Sequence, residues 1–356
     1  MKKSLIALAV LASAAGAASA QSSVTLFGIV DATVAYGRAS GGANKWQLTN
    51  SGYNSSRLGF RGVEDLGGGM SASFWLEAGL SNDNGTGVAT NLNNQATGAT
   101  GGATGLVFNR RSTVSLAGGF GELRLGRDYT PQFWNLTVFD PFGTNGVGTT
   151  LTTQGGFTGV TAVRASNSIG YFLPGNLGGF YGQAQYYMGE NVRNGAATEK
   201  DGNGVGVRVG FANGPFNVAL ALSETKYAAG KVKQNNIGGQ WDFGMAKAMA
   251  QYAWDKNGAL EGKGWLIGGL FPVGAGEIRA AVSSYKIDNV TGLDPKGTKV
   301  ALGYVHNLSK RTAVYTTYAR LKNKDGNAFG ALNGATLGAG TDRSSSGLDL
   351  GIRHSF

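Results

Sequence analysis

The side chains that most often do chemistry are scarce in this chain, and arginine is the exception. His306 and His354 are the two histidines, and there is no cysteine. Disulfides and thiolate metal sites therefore have no ligands to use. Serine hydrolysis needs a serine within reach of a base, and no Gly-x-Ser-x-Gly elbow occurs. The glycine runs "GGGMSAS" and "AGGFGE" lead into strand-like residues rather than a helix, so they offer no phosphate cradle. Asp83, Asp201 and Asp294 lack the spacing of a calcium loop. No catalytic set, cofactor or metal is expected. What remains is a series of arginines threaded through apolar segments, as in "SRLGFRG", "FNRRS" and "LRLGRDY". A guanidinium stays charged at any relevant pH, and its use in such a setting is to attract anions.

The elements that must hold these arginines alternate with a period of two. Val205, Val207, Val209 and Phe211 alternate with Gly206, Arg208 and Gly210; Phe216, Val218, Leu220 and Leu222 alternate with Asn217, Ala219, Ala221 and Ser223. Such segments are strands with one apolar face and one polar or small face. Sixteen of them run from 23–37 and 53–64 to 346–356, joined by seven short and eight long connections in alternation. Short turns at one end and long loops at the other mark an outer-membrane barrel. Lipid cannot satisfy exposed backbone groups, so a spanning sheet must close on itself. Sixteen strands enclose too wide a space for side chains to fill, which leaves a wetted channel. The expected fold is all-β: a sixteen-stranded antiparallel transmembrane barrel over residues 21–356. Residues 1–20 read as a cleaved leader, with Lys2 and Lys3, an apolar stretch and "ASA" before the cut. The net charge of +10 is scattered rather than clustered, which argues against nucleic acid and for small anions.

Between Tyr129 and Ser166 lies a third long loop of about 36 residues. Phe133, Trp134, Phe139, Phe142 and Phe157 make it too apolar for a solvated tail, so it is expected to fold inward against the wall. His306 and His354 share the lipid-facing phase near strand ends. Phe356 ends the last strand with no tail.

"QSSVTLFGIVDATVAYG", "SRLGFRGVEDLGGGMSASFWLE", "FNRRSTVSLAGGFGELRLGRDYTP", "VRASNSIGY", "LGYVHNLSKRTAVYTTYARLKNKD" and the ending "GIRHSF" together resemble the general porins of Gram-negative outer membranes, in particular their anion-selective branch. The likeness spans the mature chain. It implies a homotrimer in outer-membrane lipid, a third loop that narrows the pore, and passage of small anionic and neutral hydrophilic solutes. It also implies a constriction built from Arg57, Arg110, Arg111 and Arg164, with Arg127 as a further wall arginine and Asp140 as a loop acid.

Strand parity alone turns Arg57, Gly59 and Arg61 to the lumen, and likewise Glu122 and Arg124. It turns Arg111 inward and Arg110 outward, unless a bulge or a position above the membrane separates them. Arg127 shares the outward phase of Leu125. The plainer reading is that inward arginines are ordinary lining, paired with Glu64, Glu77 or Asp31. One charge at about 6 Å in water is worth roughly 0.7 kcal/mol to a passing anion, and three give about 2 kcal/mol. Salt, with a Debye length of about 8 Å, lowers this. A weakly anion-selective diffusion channel is the leading expectation. The rivals are a substrate-specific channel for dicarboxylate or phosphate, a barrel lipase, and a plugged adhesive barrel.

Overall fold

The computed structural model describes residues 23–41, 43–96, 100–101, 105–153, 159–289, 292–333 and 340–356. The expected leader and Phe157 lie outside the described residues. The wall is made by β1 (Ser23–Ala39), β2 (Asn44–Asn50), β3 (Arg57–Gly67), β4 (Met70–Ser81), β5 (Arg111–Gly118), β6 (Gly121–Tyr129), β7 (Arg164–Phe172) and β8 (Phe180–Tyr187). It continues through β9 (Gly204–Asn213), β10 (Phe216–Thr225), β11 (Val232–Asp242), β12 (Lys247–Asn257), β13 (Leu260–Val273), β14 (Gly276–Asp288), β15 (Lys296–Asn307), β16 (Thr312–Lys324) and β17 (Ser345–Ser355). Neighbours are antiparallel throughout, and β17 pairs back onto β1 from Ile29↔Ser355 to Ala39↔Ser345, which closes the cylinder.

β2 and β3 together form one wall strand. β2 pairs with the upper half of β1 and β3 with the lower half, so the closed sheet has sixteen positions. This corrects the expectation of a continuous strand over 53–64 that follows a long first loop. The cause is Asp31 on β1. Its carboxylate accepts the backbone N–H groups of Tyr53 (2.9 Å) and Asn54 (2.7 Å), and the Ser56 hydroxyl accepts its N–H (3.0 Å). Ser51 enters this detour with φ of 65°. Residues 51–56 therefore leave the ladder as a large bulge, a device that bends a strand and aims its side chains.

Outside, the alternation gives an apolar belt. Val24, Leu26, Val30, Val34, Val205, Val207, Val209, Ile267, Val300, Leu302, Leu350 and Ile352 are all exposed. A contiguous patch of that kind on a water-soluble monomer would be an association hazard, whereas in lipid it is the expected solvent contact. His306 and His354 are on this side near strand ends, where they bond Tyr304 and Thr312. Phe356 closes the last rung by exchanging backbone bonds of 3.1 Å with Gly28.

The buried packing lies between the wall and the third long loop. After Tyr129 the loop forms α1 (Pro131–Val138), with proline in its first turn, where its missing N–H costs no helical bond. α1 runs along β9, β10 and β11. Asn135 donates to the Ala219 carbonyl (2.9 Å) and to Asn236 (2.8 Å). Phe142 and Val147 then pack on Leu266, Ala281, Ala301 and Ala319, and Leu151 packs on Tyr285, Leu321 and Ala331. Inward glycines make the room. A Cβ on Gly268 would stand 2.8 Å from Pro141, and one on Gly206 3.0 Å from Pro131. The loop ends its traverse at β17 and the 51–56 detour, where Val147 N–H bonds Asp349 (2.9 Å) and Asn145 bonds Ser55 (2.7 Å). β7 starts at Arg164, two residues earlier than expected, with an irregularity between Ala165 and Ser168.

Candidate functional site

The loop packs along β9 to β16, and the inward faces of β3 to β8, with Arg208 of β9, border an open recess beside it. Glu77 on β4 is the organising acid. It accepts Arg110 Nε at 2.5 Å and Trp75 Nε1 at 3.0 Å, and Arg57 Nη1 lies 3.3 Å away. The Tyr129 hydroxyl accepts one bond each from Arg110 and Arg164, both at 2.9 Å. Arg164 also donates to the Arg110 carbonyl (2.8 Å) and stands 4.4 Å over the Tyr129 ring. These contacts join Arg57, Arg110 and Arg164 into one cluster around a single carboxylate.

A second tier adjoins it. Arg111 pairs with Asp128 at 3.7 Å and stacks 4.6 Å over Trp75. Arg124 pairs with Asp128 at 2.6 Å and Glu122 at 2.9 Å, and covers Phe172 at 3.9 Å. Arg208 donates to Asn135 of α1 (2.9 Å) and lies 4.8 Å over Tyr181. The two tiers hold six arginines against the carboxylates of Glu77, Asp128 and Glu122, an excess of three positive charges. Among the described residues, Arg164 and Arg208 have no ion pair. Arg57, Arg110, Arg111, Arg124 and Arg208 line one recess, and its lining also includes Trp134 from α1.

Both arginines of "FNRRS" point inward, which removes the parity conflict. Arg111 is the first residue of β5 and pairs with Glu77 in the ladder. Arg110 lies just outside the ladder, in a bend where the Asn109 side chain accepts the Gly79 N–H (2.8 Å). The rule of alternation does not apply there, so Arg110 turns inward and is buried.

Arg127 and Asp140 are placed away from the cluster. Arg127 pairs with Ser112 on the phase of Leu125 and Val114, facing out. Its side chain holds the carbonyls of Asn109 (2.6 Å) and Asn91 (3.3 Å) and the Ser166 hydroxyl (2.7 Å), which fastens the second long loop to the rim. Asp140 is buried and accepts three N–H groups of its own loop: Phe142 (2.9 Å), Thr144 (3.1 Å) and Thr150 (3.0 Å). Burial pushes its carboxyl above the ordinary aspartate range, opposed by those bonds and by Lys299 on the wall. It therefore shapes the loop and does not face the solute. Of the acids proposed as partners, Glu77 pairs with the arginines, while Asp31 serves the 51–56 detour. Arg208 and Arg124 join the site although they were legible only as inward positions. What adds Arg208 is its bond to the loop helix, and no local pattern reports that contact.

A closed antiparallel cylinder with an apolar exterior and a charged, open interior is the architecture of an outer-membrane pore. Comparison with known proteins makes the identification specific. The profile of the family described as Gram-negative porin matches residues 7–326, and the chain belongs to that family. Outer membrane porin protein 32 of Delftia acidovorans is 40% identical over 373 residues, covering 100% of both chains. An outer membrane porin protein of Bordetella pertussis is 29% identical over 423 residues, again with 100% of each chain covered. Among solved structures, the anion-selective porin from Comamonas acidovorans superimposes with a TM-score of 0.83 at 37% identity, covering 94% of this chain and 100% of that one. The protein resides in the outer membrane.

Proposed function

We propose that this porin forms a water-filled, weakly anion-selective passive channel for small hydrophilic solutes. The observation that carries the reading is the excess of guanidinium over carboxylate in the arginine wall beside the loop helix. Fixed charges spread over a wetted wall bias which ions cross without holding any of them tightly. The anion-selective character of the solved relative at 37% identity supports the same sign. This reading assigns the protein no catalytic role. The test is the reversal potential of the purified protein in planar bilayers across a potassium chloride gradient. Chloride preference is expected, and potassium preference would overturn the reading. Saturating block of the current by a dicarboxylate or phosphate would instead mark a substrate-specific channel.

The same reading takes residues 1–20 as a leader lost on export, and the mature chain as a homotrimer. It also gives the outer face a lipid partner of definite charge. Outward lysines stand opposite one another across four strand pairs: Lys233↔Lys256, Lys263↔Lys286, Lys286↔Lys296 and Lys296↔Lys324. Like charges in register repel, and Glu224, Glu261, Asp288 and Asp294 offset only part of the row. Anionic headgroups of the surrounding lipid supply the remainder.

A further inference from the structure

We propose that the recess between α1 and the arginine wall is a binding site for aryl carboxylates, with the ring on Trp134 and the carboxylate on the facing guanidinium groups. The proposal rests on the channel reading and deepens it by naming a solute class.

α1 buries Phe133, Asn135 and Leu136 against the wall and leaves Trp134 uncovered, with Thr137 and Val138 beside it one turn on. Trp134 is 40% exposed and lines the recess, so a large aromatic face stands in the solute's path. For passage of chloride or other compact ions that apolar area has no use, because such ions interact with the charges alone. A solute with a flat ring can cover it.

Ring and charge border the same recess. Tyr129 joins the two ends: its ring centre is 5.6 Å from that of Trp134, and its hydroxyl accepts bonds of 2.9 Å from Arg110 and Arg164. The indole and the guanidinium cluster therefore flank the same tyrosine, and Trp134 shares the recess lining with Arg57, Arg110, Arg111, Arg124 and Arg208, so one small aryl anion can present its ring to the first and its carboxylate to the others. Glu77 shows how the acidic end would sit, since its carboxylate already bridges Arg57 and Arg110. The recess measures about 570 Å³, within the roughly 300–1,000 Å³ usual for small-ligand sites. Arg111 over Trp75 and Arg124 over Phe172 show that this wall already pairs guanidinium with aromatic faces. An aryl anion would extend that arrangement toward the loop side.

Ring stacking is worth about two- to tenfold in affinity beyond simple burial. The test is current block by benzoate, acetate and cyclohexanecarboxylate, recorded on the full protein in planar bilayers with chloride selectivity measured in the same membranes. Benzoate is expected to interrupt the current at concentrations about three- to tenfold below either control. Trp134→Ala should bring benzoate to the level of acetate, and Trp134→Phe should retain most of the difference. Equal block by benzoate and cyclohexanecarboxylate, or undiminished benzoate block in Trp134→Ala, would overturn the site while leaving the channel reading intact. Potassium preference in the wild type would overturn the channel reading itself.

Discussion

The two halves of the inner wall differ in what stands in front of them. From β3 to β8 the inward positions carry arginines, acids and aromatic rings, and they face water. Where the loop packs, on β10 to β16, glycine and alanine recur at the inward positions, among them Ala219, Gly238, Gly264, Gly268, Ala281, Ala301, Gly303 and Ala319, and that surface is dry beneath the loop. The difference teaches that one alternating pattern serves two purposes. Arginines cluster where the lumen is open, and small residues make room where a second layer must fit. The loop thereby narrows the channel from one side and leaves the charged side as the surface that solutes meet.

The largest effect should come from removing space on the covered half. Gly268→Val places atoms where Pro141 lies and strains the wall backbone nearby. Overpacking of this sort costs roughly 1–3 kcal/mol, here at the expense of loop docking. Single-channel recordings should show larger, noisier conductance, while the matching Gly170→Ala on the open half should behave as wild type. At Gly170 the nearest atom to a new Cβ is 3.4 Å away, an ordinary contact. If Gly170→Ala disturbed the channel as much as Gly268→Val, the contrast between the halves would fail.

Next in size is the charge itself. Arg57→Ala combined with Arg164→Ala removes two positive charges, worth about 1.4 kcal/mol to an anion in transit before screening. The chloride-over-potassium permeability ratio should fall by up to about tenfold in dilute salt and by less at high ionic strength. An unchanged ratio would remove these two residues from the selectivity set. Glu77→Gln should act in the other direction, raising anion preference by about 0.7 kcal/mol. It also leaves buried Arg110 without its anion, so the variant should unfold at a lower temperature in detergent. The smallest effect on selectivity belongs to Arg127→Ala. Because Arg127 faces outward and holds loop carbonyls, its loss should leave the reversal potential unchanged and speed proteolysis within the second long loop. A shifted reversal potential would return it to the pore.

How far the sequence could be read follows the same division. Strand number, closure and the facing of Arg57, Arg111 and Arg124 were legible because a period of two fixes them locally. The inward course of the third loop was legible from its aromatic content. Arg110 was legible only through family resemblance, since it sits in a bend where parity has no meaning. The detour at 51–56 depends on an aspartate about 20 residues earlier in the chain, a tertiary contact that no local pattern encodes. Asp140 misleads for a related reason. An acid in a pore loop looks like a ligand for solutes until its three backbone donors are seen.

The loop's farthest anchors couple it to the seam of the barrel. Asn145 and Val147 are fastened to Ser55 and Asp349, on the two sides of the junction between the first and last strands. Half of that anchorage does not exist until the C-terminal strand has joined its partner. The loop's last anchors are therefore complete only in the sealed cylinder, which ties the shape of the filter to closure of the wall.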